Sequence, residues 1–220
     1  MQILRYWERI VSFLFPPTCA SCENVLLNEE ELICTGCQYH LPINDYHLYL
    51  ENDAYKRLKL KAPIECAVAY LSFSRSSLVQ TMLHKVKHRK ARETCDYFGY
   101  HFGIQLLSSP YYDSIDLIVP LPIARRGQRL GAYNQNECLA RGIGAALHLP
   151  VNSSDFICSE IVKSSSRHKV FHCISSSSFV GKHILLVDDL LDSGDVLGAA
   201  INRLIDDTGC KVSVAILAIA

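Results

Sequence analysis

Short apolar runs and longer amphipathic stretches alternate along the chain from residue 65 onward. The apolar runs are "CAVAYLSF", "IDLIVPLP", "HILLVDD" and "KVSVAILAIA", and each of them predicts a strand. Between them, "TCDYFGYHFGIQLL", "NQNECLARGIGAALHLP" and "DVLGAAINRLIDDTG" have the spacing of helices, and Gly209 is expected to end the last one. Strands that are apolar throughout are typical of a parallel sheet covered on both faces. The pattern therefore predicts an α/β fold with a doubly wound parallel sheet.

Two further segments of this region have patterns of their own. Residues 76–90, "SSLVQTMLHKVKHRK", predict a helix that ends in a basic cluster. Residues 164–178, "SSSRHKVFHCISSSS", are polar and rich in serine, so we expect a mobile loop there.

The N-terminal stretch "MQILRYWERIVSFLFPP" is apolar at helical spacing but also carries three charged residues. It is too short and too charged to span a bilayer, and it lacks the small-residue cleavage site of a signal peptide. We therefore expect a docked amphipathic helix, no membrane span and a cytoplasmic location.

Four of the ten cysteines are grouped as two CxxC pairs, Cys19 with Cys22 and Cys34 with Cys37. Thiols of a cytoplasmic protein are more often free or metal-bound than paired in disulfides. This spacing allows four thiolates to surround one tetrahedral zinc ion, and such a closed shell serves a structural role. We expect a zinc-finger module in residues 1–45 and an α/β domain in residues 46–220.

The charges of the chain balance, with 22 Lys and Arg against 22 Asp and Glu. Net charge therefore gives no argument for nucleic acid or a membrane surface. Two dense basic stretches remain, "HKVKHRKAR" at 84–92 and "ARRGQR" at 124–129. Either they contact phosphates, or they are solvated helix ends whose cations favour the helix dipole.

The acidic pair Asp188 and Asp189 follows an apolar strand and precedes a small-residue loop and a helix. Exposed amides at a helix N-terminus favour anions such as phosphate. Carboxylates accept hydrogen bonds from vicinal hydroxyls such as those of ribose. Together these features predict a site for ribose 5-phosphate, although acids at a strand end also occur as simple caps.

This stretch, "ILLVDDLLDSGDV", resembles the phosphoribosyl pyrophosphate loop of type I phosphoribosyltransferases. The chain from "FPPTCASC" through "VPLPIARRGQRLGAYNQ" to "KVSVAILAIA" resembles the ComF family. That family joins an N-terminal zinc finger to a phosphoribosyltransferase-like domain, and some members act in the uptake of single-stranded DNA. The resemblance implies a type I phosphoribosyltransferase-like fold and the binding of phosphoribosyl pyrophosphate, or a related ribose phosphate, with magnesium.

The resemblance also implies roles for individual residues. The carboxylates of Asp188 and Asp189 would bind the ribose hydroxyls as the catalytic pair. A magnesium ion would bridge pyrophosphate and ribose oxygens and neutralise the leaving group. The ligand-binding residues would be Asp192, Ser193, Gly194, Asp195 and Val196 in the loop, with Pro120, Leu121, Pro122, Arg125, Arg126, Arg129, Tyr133, Asn134 and Gln135 around it.

The loop departs from the family pattern because Asp192 and Val196 stand where threonines are usual. An ionised Asp192 donates no hydrogen bond, and like charges about 4 Å apart repel by roughly 1 kcal/mol in water. Two hypotheses stay open. The first is a phosphoribosyltransferase-type protein that binds a ribose phosphate and transfers the phosphoribosyl group to an unidentified acceptor. The second is a non-catalytic adaptor with a degenerate site, which binds single-stranded DNA or a DNA-uptake helicase through its basic stretches, so that substitution of Lys85, Lys87 or Arg89 weakens DNA binding.

Overall fold

The computed structural model describes five stretches of the chain, residues 16–27, 29–73, 91–124, 134–163 and 166–220. The predicted helices at 1–15 and 76–90 lie outside these stretches, as does most of both basic clusters. No helix in the described stretches is long and apolar enough to cross a membrane.

The described strands form one parallel sheet and one hairpin. In chain order they are β1 Ala67–Ser72, β2 Leu117–Pro120, β3 Phe156–Lys163, β4 Ser166–Cys173, β5 His183–Leu191 and β6 Lys211–Ile219. The sheet has the order β1-β6-β5-β2, and all its neighbours run parallel. All four predicted strands are therefore present in the sheet. Since Pro120 lies opposite Val187, the carboxyl end of β2 meets β5 next to Asp188.

Five α-helices surround the strands in the described stretches. They are α1 Thr35–Tyr39, α2 Asp53–Lys59, α3 Ala91–Leu106, α4 Gln135–Leu147 and α5 Asp195–Thr208. Asparagine side chains cap two of them, because Asn52 accepts from the Tyr55 N–H at 3.0 Å and Asn134 accepts from the Asn136 N–H at 3.1 Å. Helix α5 ends at Gly209 as predicted, in the left-handed conformation with φ 64°.

Helices cover both faces of the sheet, which confirms the doubly wound arrangement. The side chains of β5 alternate between two apolar layers, with Ile184 and Leu186 in one and Leu185 and Val187 in the other. Helices α2 and α5 contribute to the first layer, and helices α3 and α4 to the second. The uniformly apolar strand follows from this two-sided burial.

The expectation of a mobile loop at 164–178 is wrong for residues 166–173. These residues form β4, which pairs antiparallel with β3 and places Phe171 opposite Cys158. The rings of Phe156 and Phe171 stack with their centroids 5.7 Å apart and pack in the layer that contains α5. A strand needs apolar residues on one face only, so the polar composition of this segment concealed it.

Glycines allow α3 and α4 to cross backbone to backbone. A Cβ atom on Gly142 would lie 2.6 Å from the Asp96 carbonyl oxygen and 2.8 Å from the Gly99 Cα. Both neighbours are backbone atoms, so neither can move aside without displacing a helix.

Substitution Gly142→Ala should therefore destabilise the protein by about 1–3 kcal/mol, the usual cost of overpacking. In an uncrowded helix the same change is stabilising by up to about 1 kcal/mol. Urea unfolding would measure the difference, with Gly36→Ala as control, since its added Cβ would meet nothing within 4 Å beyond its chain neighbours and its own helix backbone. Equal stability of the two variants would contradict this view of the helix crossing.

Candidate functional site

The four grouped cysteines converge on one point. Their Sγ atoms all lie within 4.8 Å of one another, and those of Cys22 and Cys34 are 3.6 Å apart. Four zinc–sulfur bonds of about 2.3 Å in a tetrahedron place the sulfurs about 3.8 Å apart. The four thiols Cys19, Cys22, Cys34 and Cys37 therefore fit a structural zinc ion, as the spacing predicted.

Backbone turns in the module aim amide groups at these sulfurs. The N–H groups of Ser21 and Cys34 donate to Cys19 Sγ at 3.4 Å and 3.3 Å. Burial opposes ionisation of Cys19, but backbone hydrogen bonds from Cys22, Cys34 and Ser21 outweigh it and lower its pKa to about 6. Burial and the neighbouring cysteines raise the pKa of Cys37 to about 12. Metal binding must therefore release protons from this cluster.

A second site lies at the carboxyl ends of β2 and β5, where a cavity of about 390 Å³ opens. Ligands of parallel α/β sheets bind at this edge. The cavity brings together ten of the predicted site residues: Leu121, Pro122, Asn134, Gln135, Asp188, Asp189, Asp192, Ser193, Gly194 and Val196.

The remaining predicted residues lie elsewhere. Pro120 lines a neighbouring cavity of about 230 Å³, which shares Pro122 and Asn134 with the first. Asp195 is absent from the described lining; its exposed carboxylate pairs with Lys61 Nζ, just beyond the end of α2, at 2.7 Å. Residues Arg125, Arg126, Arg129 and Tyr133 lie outside the described stretches.

The acidic pair occupies the point where β5 leaves the core. Asp188 is only 8% exposed, and its Oδ1 accepts hydrogen bonds from the Asp189 N–H and from Asn136 Nδ2, both at 3.0 Å. Burial and the neighbouring Asp189 carboxylate raise the pKa of Asp188 to about 7, although these hydrogen bonds and Lys169 oppose the rise. A buried carboxyl whose pKa is raised toward neutrality at the wall of a cavity is a candidate for a functional role.

The loop after β5 turns sharply and is supported from behind by α2. Gly194 has φ 79°, a conformation that favours glycine, and α5 begins immediately after it. Arg57 Nη1 of α2 donates to the carbonyl oxygens of Asp192 and Ala220, both at 2.8 Å. Arg57 thus holds the Asp192 carbonyl on the side of α2. The loop residues Asp192, Ser193 and Gly194 line the cavity.

Sequence reasoning missed two polar residues of the cavity, Asn136 and Lys169. Asn136 directly follows the quoted "YNQ", and its position in the first turn of α4 could have indicated that it lies beside Asn134. Lys169 reaches the cavity from β4, in the segment that was expected to be a loop.

No family model matches the chain, and no curated protein matches its sequence. Solved structures that resemble it include a purine phosphoribosyltransferase from Pyrococcus horikoshii Ot3, with 16% identity and a TM-score of 0.39 over 57% of this chain and 73% of that one. The hypoxanthine-guanine phosphoribosyl transferase of L. donovani shares 16% identity, with a TM-score of 0.40 over 57% and 71%. The AQ2163 protein from Aquifex aeolicus shares 12%, with a TM-score of 0.41 over 69% and 87%. Likenesses this distant assign neither a function nor a ligand.

The cysteine cluster should bind one zinc ion per chain, and Cys22→Ser should lose it, since a serine hydroxyl is a poor zinc ligand. Because metal binding supplies folding free energy to so small a module, the variant should also be cleaved faster by protease within residues 16–41. Elemental analysis and limited proteolysis would measure both effects. Cys173→Ser, outside the cluster, should keep its zinc, and equal zinc content in the two variants would contradict the assignment.

Substitution Asp188→Asn should stabilise the folded protein at neutral pH. The unfolded carboxyl ionises near pH 4, whereas the folded one keeps its proton until about pH 7, so stability falls as pH rises between these values. Asparagine keeps the acceptor oxygen but removes the charge, so unfolding free energy at pH 8 should increase by at least about 1 kcal/mol. Urea titrations from pH 4 to pH 8 would measure this, with the exposed Asp206→Asn as control. An unchanged pH slope in Asp188→Asn would contradict the argument.

Proposed function

We propose that the chain is a ComF-like protein of the phosphoribosyltransferase type, whose cavity binds phosphoribosyl pyrophosphate or a related ribose phosphate. The observation that supports this most is the convergence of the acidic pair with the loop 192–194 in one cavity. Its volume of about 390 Å³ falls in the range of about 300–1,000 Å³ that is usual for small-molecule sites.

The acidic pair would hold the sugar. Both hydrogen bonds to Asp188 from the described residues reach Oδ1, so its Oδ2 is left to accept from a ribose hydroxyl. Asp189 is only partly buried and lines the same wall, where it would accept from the neighbouring hydroxyl. A carboxylate pair suits vicinal hydroxyls because it offers acceptors and no donors when ionised.

The loop and the start of α5 would face the 5-phosphate. Backbone N–H groups of a tight turn at a helix N-terminus favour an anion, and Lys169 adds a positive charge to the same cavity. Asp192 opposes this preference, since its carboxylate is exposed and lines the cavity. Asp195 opposes it less, because Lys61 neutralises it.

Magnesium, which the resemblance implies, would supply charge neutralisation of the ligand's phosphate oxygens. As the resemblance implies, pyrophosphate and ribose oxygens of the ligand would hold this ion, since hard oxygen donors suit it. If transfer follows binding, the bond from the ribose anomeric carbon to pyrophosphate breaks while a bond to the acceptor forms.

The proposal includes two further elements of the resemblance, a resident structural zinc ion in the cysteine cluster and a role in the uptake of DNA. The cluster geometry supports the first. Lys85, Lys87 and Arg89, which would contact DNA, lie outside the described stretches.

Calorimetric titration with phosphoribosyl pyrophosphate and magnesium tests the proposal. Native protein should bind it saturably, and Asp189→Ala should weaken binding at least about tenfold through the loss of a charged hydrogen-bond acceptor. Asp192→Thr should strengthen binding about fivefold, because it removes a repulsion of roughly 1 kcal/mol. The exposed Asp206→Asn is the matched control and should bind as the native protein does.

Two results would contradict the proposal. Absence of binding to both native protein and Asp192→Thr would exclude a ribose phosphate site. Binding to Asp192→Thr alone would mean that the native loop has lost its ligand. Salt-sensitive binding of single-stranded DNA that survives Asp188→Ala would then favour the adaptor.

A further inference from the structure

One buried side chain joins three elements around the cavity. Asn136 lies in the first turn of α4 and is only 4% exposed. Its Nδ2 donates to the Leu121 carbonyl oxygen, just beyond β2, and to Asp188 Oδ1 of β5, both at 3.0 Å. A single amide therefore connects the ends of two neighbouring strands to the helix that covers them.

The chemistry of the amide fixes its orientation. If the amide were reversed, Oδ1 would face the Leu121 carbonyl oxygen and Asp188 Oδ1, which are both acceptors. Three oxygens would then lie in contact with no donor among them. In the observed orientation Asn136 Oδ1 has no partner among the described residues, and it is buried. An unsatisfied buried oxygen costs free energy, so the two bonds made by Nδ2 must outweigh it.

Asp188 depends on these donors because little else favours its charge. Asp189, the next residue along β5, adds negative charge, and Asp192 lies in the same cavity. Lys169 of β4 is the facing cation among the described lining residues. The two donors to Asp188 are the Asp189 backbone N–H, which any residue at that position would supply, and the Asn136 side chain.

We infer that Asn136 is a positioning residue that favours the anionic form of the Asp188 carboxyl and fixes its rotamer, with Oδ2 presented to a ligand hydroxyl. The part of this inference that concerns a ligand rests on the proposed function. Asn136 itself need not touch the ligand, since it acts through Asp188. The hydrogen bond to Leu121 holds the amide while the one to Asp188 sets the carboxylate.

The titration of Asp188 tests this without any ligand. In protein labelled with ¹³C at the aspartate carboxyls, the Asp188 signal is the one missing from Asp188→Asn. The midpoint of this signal should rise by about one to two pH units in Asn136→Leu, whose side chain has a similar volume and no donor. The loss of a hydrogen bond to a charged group shifts a pKa by about that amount. Gln105→Leu is the matched control, because it removes an amide that donates to the Asn44 carbonyl oxygen at 2.7 Å, outside the cavity.

Binding of ribose 5-phosphate at several pH values separates positioning from general damage. For a shift of one unit, Asn136→Leu should bind about fivefold more weakly than native protein at pH 7, and the difference should shrink by pH 9, where Asp188 is ionised in both. A purely structural role would weaken binding by the same factor at every pH. Asn136→Ala gives the same expectation if the leucine does not pack.

An unchanged Asp188 midpoint in both Asn136 variants would overturn the inference, as would an equal shift in Gln105→Leu. A shifted midpoint in a protein that binds no ribose 5-phosphate would contradict the proposed function and leave the positioning role intact.

Discussion

Strand β5 is paired on both edges and covered on both faces, and the position of the cavity follows from that burial. Its first six residues are buried, and the strand first becomes partly exposed at Asp189. The parallel neighbours end at the same edge, which brings Leu121 beside the acidic pair. A parallel sheet thus concentrates its polar groups where its strands stop.

The location has an energetic consequence for Asp188. Its carboxyl is almost fully buried beside a second acid, an arrangement that destabilises the charged form and the fold with it. The hydrogen bonds from Asn136 and from the Asp189 N–H offset part of that cost. A protein keeps such an unfavourable group where it serves a purpose, which agrees with a binding role for this edge of the sheet.

Separate contacts hold the loop and the cysteine module against the sheet. Asn52 donates to the carbonyl oxygens of Tyr49 and Ala67, at 2.8 Å and 2.7 Å, and caps α2. Helix α2 then holds the loop through Arg57. The module residues Leu26 and Ile33 pack in the same apolar layer as α3 and α4.

Local sequence patterns determined much of this molecule. The four strands of the sheet, three of its helices, the cysteine cluster and the acidic pair could be predicted because each depends on spacing within a few residues. The tertiary structure alone decided that residues 166–173 form a strand, that Asp195 pairs with Lys61, and that Asn136 holds Asp188. The last two depend on partners that are distant along the chain, with Lys61 and Asp195 separated by 134 residues and Asn136 and Asp188 by 52. Periodicity reports which face of an element is buried, but only the folded chain decides which groups meet there.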